Sequence, residues 1–258
     1  MCQISVILTT HNRPLLLSRA ISSLVHQTFQ DFEILLIADE SSKETKHIAA
    51  NLLRSNDTFV AIPTLKGPSG SRNLGIQLAK SKWICFLDDD DLFEIDYFEK
   101  AIELIRVNES VLHFFNYSKV SDKTSEEDYS LSIVEKVNFS GYALDQLWVS
   151  NFIPINAFFL SNENAKKYLF DMNLKSHEDW DWLLNVNGTI SFVHHNTFGP
   201  LVYLSQTLTR NTTSHKDGSV ILDYLSIYRR WPGKSNLIKT KRGEFLSSAG
   251  LNLPIELL

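Results

Sequence analysis

Four short apolar runs, separated by helix-spaced segments, fill roughly the first hundred residues, and that alternation constrains the fold more than any other feature of the chain. Ile4 to Leu8 is rich in β-branched residues and reads as a buried strand. Phe32 to Ile37, Phe59 to Pro63 and Trp83 to Leu87 repeat the pattern. After the first run, Leu15, Leu16, Arg19, Ala20, Ser23 and Leu24 follow helical spacing, with Pro14 suited to a first helical turn. Lys43 to Asn56, Arg72 to Ala79 and Ile95 to Val107 read as further helices, and Gly67 to Gly70 as a glycine-proline loop. Continuously apolar strands must be covered on both faces, so the order predicts an α/β fold with a parallel sheet between helical layers. In such sheets the functional loops leave the C-terminal strand ends. The loop from Thr9, then Asp39, and the run Asp88 to Asp91 all fall on that edge, which predicts one shared site.

Beyond residue 110 the signals are shorter. Leu112 to Tyr117, Leu131 to Val137, Ile155 to Leu160, Ile190 to Val193 and Pro200 to Leu204 read as strands. Ala143 to Asn151, Ala165 to Phe170, His177 to Asn187 and Val220 to Arg230 read as helices; Ser121 to Ser130 and Ser205 to Gly218 read as polar loops. No repeat, low-complexity tract or linker interrupts the chain, so its 258 residues are expected to form one domain. Residues 1–110 make a nucleotide-binding half, 111–218 an acceptor and catalytic-base half, and 219–258 a C-terminal helical extension. A net charge of -5 speaks against a nucleic-acid partner. Cys2 and Cys85 have no metal or disulfide spacing, which suits a reducing compartment. No leader and no apolar stretch of membrane-spanning length is legible, so a cytoplasmic location is expected.

Phe86-Leu87-Asp88-Asp89-Asp90-Asp91-Leu92-Phe93 poses the chemical question. Four adjacent carboxylates repel one another, and a divalent cation offsets that cost. Side chains two apart can offer oxygens to one ion, a hard set suited to Mg²⁺ or Mn²⁺ that nucleotide phosphates would complete. The plainer alternative is that Asp90 or Asp91 caps the helix at Ile95 and the others are solvated. A second cluster, His177-Glu178-Asp179-Trp180-Asp181-Trp182, opens a helix, where free amides stabilise an ionised carboxylate. Its tryptophans are either sugar platforms or core wedges. Arg72, flanked by Gly70 and Gly75, meets a diphosphate or pairs with the acid run. The histidines lack zinc spacing, and no serine-hydrolase elbow or dinucleotide glycine fingerprint is present.

Taken in order, Ile4 to Arg13, Leu35-Leu36-Ile37-Ala38-Asp39-Glu40-Ser41, Gly70-Ser71-Arg72-Asn73-Leu74-Gly75, Phe86 to Asp91 and Glu178-Asp179 resemble the inverting family 2 nucleotide-sugar glycosyltransferases of GT-A fold. The resemblance covers roughly residues 3 to 215. It implies a Rossmann-like three-layer α/β/α architecture with a central mostly parallel sheet and a smaller acceptor-side sheet. It further implies a nucleoside-diphosphate sugar donor, UDP-linked by expectation, Mn²⁺ or Mg²⁺ as cofactor, and a glycan or lipid-linked glycan acceptor in surface polysaccharide synthesis. Thr9 and Asp39 would contact the base, with Asn12 in the same loop. Arg13 and Arg72 would lie near the base or diphosphate. Asp88, with Asp89 beside it, would approach the ribose or sugar. Asp90 would ligate the metal, with Asp91 the alternative. Asp179 resembles the catalytic base, with Glu178 beside it and Arg72 helping the leaving group. Arg210 and His215 would close over the diphosphate, and His215 could reach the metal. Ile227 stands where processive members carry Gln ahead of Arg230-Trp231, which implies a non-processive enzyme. A lipid-linked acceptor implies peripheral contact at the inner membrane face, and the apolar ending Leu251 to Leu258 would dock there, pair subunits in a homo-oligomer, or cover the core. The rival readings are a sugar-binding protein without turnover and a nucleotidyltransferase.

Overall fold

The computed structural model describes residues 2–65, 67–122, 131–174, 176–204 and 219–258. The expected alternation is present: β1 (Ile4–His11), α1 (Pro14–Val25), β2 (Phe32–Glu40), α2 (Lys43–Leu52), β3 (Thr58–Ala61), α3 (Gly67–Leu78) and β4 (Trp83–Asp88). A two-residue strand β5 (Leu92–Phe93) precedes α4 (Tyr97–Ile105). The second half adds β6 (Leu112–Asp122), β7 (Leu131–Val137), β8 (Phe158–Ser161), α5 (Asn162–Ala165), α6 (Glu178–Asn187) and β9 (Phe192–Tyr203). The helices α7 (Ser219–Arg230) and α8 (Asn236–Ser248) follow. Short 3₁₀ turns lie at Leu144–Trp148, Ile155–Ala157 and Ile255–Leu257.

Among the described residues the strands form one sheet in the order β3-β2-β1-β4-β8-β6-β9-β5, with β7 on the side of β6. The first four strands are parallel. β8 then runs antiparallel to both β4 and β6, while β6 and β9 are parallel. The sheet is therefore mixed as a whole, and the strands of its second half are continuous with those of its first. Alternate residues feed two cores. Val6, Leu8, Cys85 and Leu87 face α1, α2 and α4; Ile7, Ile84 and Phe86 face α3, α6 and α7. On α1 the buried set Leu17, Ala20, Ile21 and Leu24 is the narrow stripe that helical spacing predicts.

Several boundaries depart from expectation. Gly67 to Gly70 is the first turn of α3 rather than a loop: Gly67 supplies a left-handed φ of 65° and Pro68 suits the helix start. Ala143 to Asn151 tightens into a 3₁₀ turn, and the short helix expected at 165–170 ends at Ala165. The two late strands are one strand, β9, whose polar middle hid the continuity and whose pairing with β6 is irregular at Asn116.

Candidate active site

The site begins where β1 and β4 end side by side, with Thr9 opposite Asp88. That register sets two hydroxyls against two carboxylates. Thr9 Oγ1 donates to Asp88 Oδ1 at 2.7 Å, and Thr10 Oγ1 to Asp89 Oδ2 at 2.6 Å. The four aspartates then part company. Asp88 and Asp90 line the cavity. Asp89 is buried beneath them and held by Arg13, whose Nη1 also reaches Asp90 Oδ2 at 3.2 Å. Asp91 lines the cavity but accepts the backbone N–H of Tyr203 at 2.9 Å and an amide N–H of Asn156 at 3.2 Å. Burial pushes Asp89 up to about 6, because a guanidinium shared with Asp90 and a hydroxyl only partly offset the lost hydration. Burial would also raise Asp88, yet Arg72 and Thr9 outweigh it and hold that carboxyl below the usual range.

Arg72 links the two halves of the sheet. It is 3% exposed on α3 and donates from Nη2 to both oxygens of Asp88, at 2.9 and 3.0 Å, and from Nη1 to Glu178 Oε1 at 2.7 Å. Its terminal nitrogens thus hold a carboxylate from each half of the sheet. Burial alone would lower the guanidinium's pKa, but Asp88 and Glu178 together hold it above the ordinary value.

Glu178 and Asp179 open α6, and His177 before them takes a left-handed φ of 57° that turns the chain into the helix. Glu178 faces Arg72. Asp179 Oδ1 accepts the N–H of Trp180 at 2.7 Å, and Oδ2 accepts Nδ2–H of Asn151 at 2.9 Å. Burial, then the adjacent Glu178 charge, pushes Asp179 up to about 7. The tryptophans are core: Trp180 donates to the Leu147 carbonyl at 2.6 Å, and Trp182 stacks on Phe170 with centroids 5.0 Å apart. Asp181, also buried, accepts from Arg230 Nη1 at 2.9 Å and Trp231 Nε1 at 2.8 Å. Arg230, the last residue of α7, and Trp231 just after it therefore grip the helix that carries Asp179.

These groups surround a cavity of about 730 Å³ that also takes in Thr9, His11, Arg13, Asp39, Asn151 and Ile155. His11 Nδ1 lies 2.8 Å from Asp39 Oδ1. Asn12, expected at the donor, turns away: its Oδ1 accepts the N–H of Ser42 at 3.0 Å and braces the start of α2. Asp89 likewise lies outside the lining, spent on Thr10 and Arg13. Arg210 and His215 lie outside the described residues. Asn151 was missed because a lone Asn in a turn carries no spacing signal; the Asn-x-Ile-Pro turn itself is its only sequence trace.

Six carboxylates line the cavity, Asp39, Asp88, Asp90, Asp91, Glu178 and Asp179, against two guanidinium groups, Arg13 and Arg72. An anion entering this surplus needs added positive charge. Among the described residues no three His, Cys, Asp or Glu side chains converge as a ready-made metal cluster. The donor set fits the way Mg²⁺ or Mn²⁺ takes one or two carboxylates and completes its shell with phosphates and water. Asp88, Asp90 and Asp91 all line the cavity from the acidic run.

The model of the family "Glycosyl transferase family 2" matches residues 5–166. This chain belongs to that family. A relative from Campylobacter jejuni, "GalNAc(5)-diNAcBac-PP-undecaprenol beta-1,3-glucosyltransferase", is 35% identical over 147 residues, 51% of this chain and 46% of the relative. An Escherichia coli relative, "UDP-Glc:alpha-D-GlcNAc-diphosphoundecaprenol beta-1,3-glucosyltransferase WfgD", is 27% identical over 121 residues, 47% of this chain and 48% of the relative. Each match thus spans just under half of the relative's own length. The crystal structure of S. aureus TarS 1-349 in complex with UDP-GlcNAc superposes with a TM-score of 0.65 at 19% identity, covering 95% of this chain and 71% of that one. The family 2 membership and this likeness agree on a GT-A-type α/β fold, and family 2 enzymes carry the expectation of a divalent cation. Among the described residues no helix is long and apolar enough to cross a membrane.

Proposed function

We propose that this chain moves a sugar from a UDP-linked donor to a hydroxyl of a lipid-linked glycan, with inversion at the anomeric carbon and without processivity. One observation carries the reading: a carboxylate raised to about 7, Asp179, shares a cavity with the acidic edge of a family 2 nucleotide-side sheet. A base that titrates near neutrality combines an adequate ionised fraction with real proton affinity. The acceptor O–H bond breaks toward Asp179 as its oxygen bonds to the anomeric carbon. The carbon–oxygen bond to the diphosphate breaks on the opposite face, and its electron pair leaves with the diphosphate.

Thr9 and Asp39, which line the cavity, would contact the base, and Arg13 and Arg72 would keep Asp90, Asp88 and Glu178 in place around the donor. Asp90, with Asp91 as the alternative, would hold Mn²⁺ or Mg²⁺, which supplies positive charge against the leaving diphosphate. Names of relatives support the acceptor class, since both carry an undecaprenol diphosphate. Such an acceptor puts the proposed reaction at the cytoplasmic face of the membrane. We retain one domain with a nucleotide half at 1–110, an acceptor and base half at 111–218 and an extension at 219–258.

The test is ligand-induced melting with UDP-, GDP- and dTDP-sugars, with and without Mn²⁺, on the wild-type chain and on Asp179→Asn. Donor stabilises the folded state by mass action, so a Mn²⁺-dependent rise with a UDP-sugar in both proteins is expected. Transfer should be lost, by about a hundredfold or more, only in the variant. A wild-type chain that melts identically with every donor would remove the transferase reading and favour a binding protein without turnover.

A further inference from the structure

The base is gripped from a side that no motif marks. Asn151 lies between the turns Leu144–Trp148 and Ile155–Ala157 and lines the cavity. Its Oδ1 accepts the main-chain N–H of Ile153 at 3.0 Å, and its Nδ2 donates to Asp179 Oδ2 at 2.9 Å. A main-chain N–H can only donate, so it fixes which end of the amide faces it. The oxygen must point to Ile153, and the NH₂ is left committed to Asp179.

The turn that carries Asn151 is itself held from behind. Tyr228 Oη donates to the Val149 carbonyl at 2.7 Å, and Arg242 Nε to the Trp148 carbonyl at 2.7 Å. The same pair of C-terminal helices reaches the other partner, because Arg230 and Trp231 hold Asp181 two residues beyond Asp179. Both ends of the Asn151–Asp179 bond are thus set by one structural unit, which makes the contact a designed distance rather than a surface encounter.

We propose that Asn151 is a positioning residue for the transfer: its N–H holds the Asp179 carboxylate in its ionised form and aims the remaining lone pairs at the acceptor hydroxyl. The inference rests on the reading of Asp179 as the base. A neutral donor bonded to a carboxylate favours the charged form, alongside Arg72 and the Trp180 N–H and against the burial and the Glu178 and Asp88 charges that favour the protonated one. Asn151 neither gains nor loses a proton in the step; it sets how readily Asp179 does.

Two variants separate the donor from the turn. Asn151→Asp keeps an acceptor for Ile153 and replaces only the N–H, whereas Asn151→Ala removes both. With aspartate labelled at ¹³Cγ, the carboxyl titration of Asp179 can be followed without any substrate, its signal identified by its loss in Asp179→Asn. The midpoint is expected to rise by about one pH unit in Asn151→Ala, and by more in Asn151→Asp, where a second carboxylate faces the first. Mn²⁺-dependent UDP binding should stay within about twofold of wild type in Asn151→Ala, because Asn151 bonds Ile153 and Asp179 and the change adds no charge to the cavity. A midpoint unmoved in both variants overturns the proposal. Release of UDP from UDP-glucose by Asp179→Asn at a near-normal rate would instead overturn the base assignment alone, leaving the midpoint shift as evidence for the hydrogen bond.

Discussion

Asp90 lines the cavity, meets Arg13 Nη1 at 3.2 Å, and is the aspartate of the acidic run proposed to hold the metal. Its three neighbours are spent on Arg72, on Arg13 with Thr10, and on Tyr203 with Asn156. Asp90→Ala is expected to weaken Mn²⁺-dependent donor binding by about tenfold or more while the melting temperature moves little, and calorimetric titration with and without Mn²⁺ checks it. Asp91→Ala should do the reverse, costing about 1–3 kcal/mol by stranding a buried N–H and an amide, read as a lower denaturation midpoint. Asp179 sets a pH dependence. Turnover needs its ionised form, so the rate should fall as pH drops through about 7, and that limb should vanish with the residual rate of Asp179→Asn. The sequence could not divide labour among four identical residues, because a run of one letter has no phase. The phase comes from the strand register that sets Thr9 against Asp88. The Glu178-Asp179 pair at the start of α6 was legible from its cluster of acids and from the resemblance; the amide partner of Asp179 was not.

At the scale of elements, α3 earns its closeness to β1 through Gly75. A Cβ there would fall 2.4 Å from Ile7 Cγ2, inside the core, so the helix would have to lift. Gly75→Ala is expected to destabilise the chain by about 1–3 kcal/mol, seen in urea unfolding. Arg72 lies one turn earlier on the same helix, so donor affinity should fall as well. A control change on the exposed face of α1 should leave both readouts alone. The strands and first four helices were legible because their apolar period is either continuous or 3.6. The parallel half of the sheet followed from their order. The switch to antiparallel pairing at β8 was not legible, since four apolar residues fit either direction. Within the expected helical extension the bounds of α8 were not legible: its buried Ile238, Arg242 and Leu246 keep a helical interval, but the middle one is an arginine and breaks an apolar search.

For the whole molecule, that arginine is a fastener. Arg242 is fully buried and meets the carbonyls of Trp148, Trp231 and Leu258 at 2.7, 2.7 and 3.0 Å, with Tyr228 under its plane. Burial lowers it to about 10, which still leaves it charged at neutral pH. Arg242→Met should cost about 2–4 kcal/mol by leaving those oxygens unpaired. Because the same contacts hold the turn of Asn151, the rate should drop more than donor affinity does, which steady-state kinetics at saturating donor would show. One consequence concerns time rather than space. Thr9 and Asp88 are 79 positions apart, Arg72 and Glu178 are 106, and Arg230 reaches back 49 to Asp181. These contacts join residues far apart in the chain, so the early member of each pair must wait for chain that is made long after it. A polypeptide emerging from the ribosome therefore carries the acidic edge with Thr9, Arg13 and Arg72 already made, while the proposed base at residue 179 is still to come, so the proposed site stays incomplete for most of the synthesis of this chain.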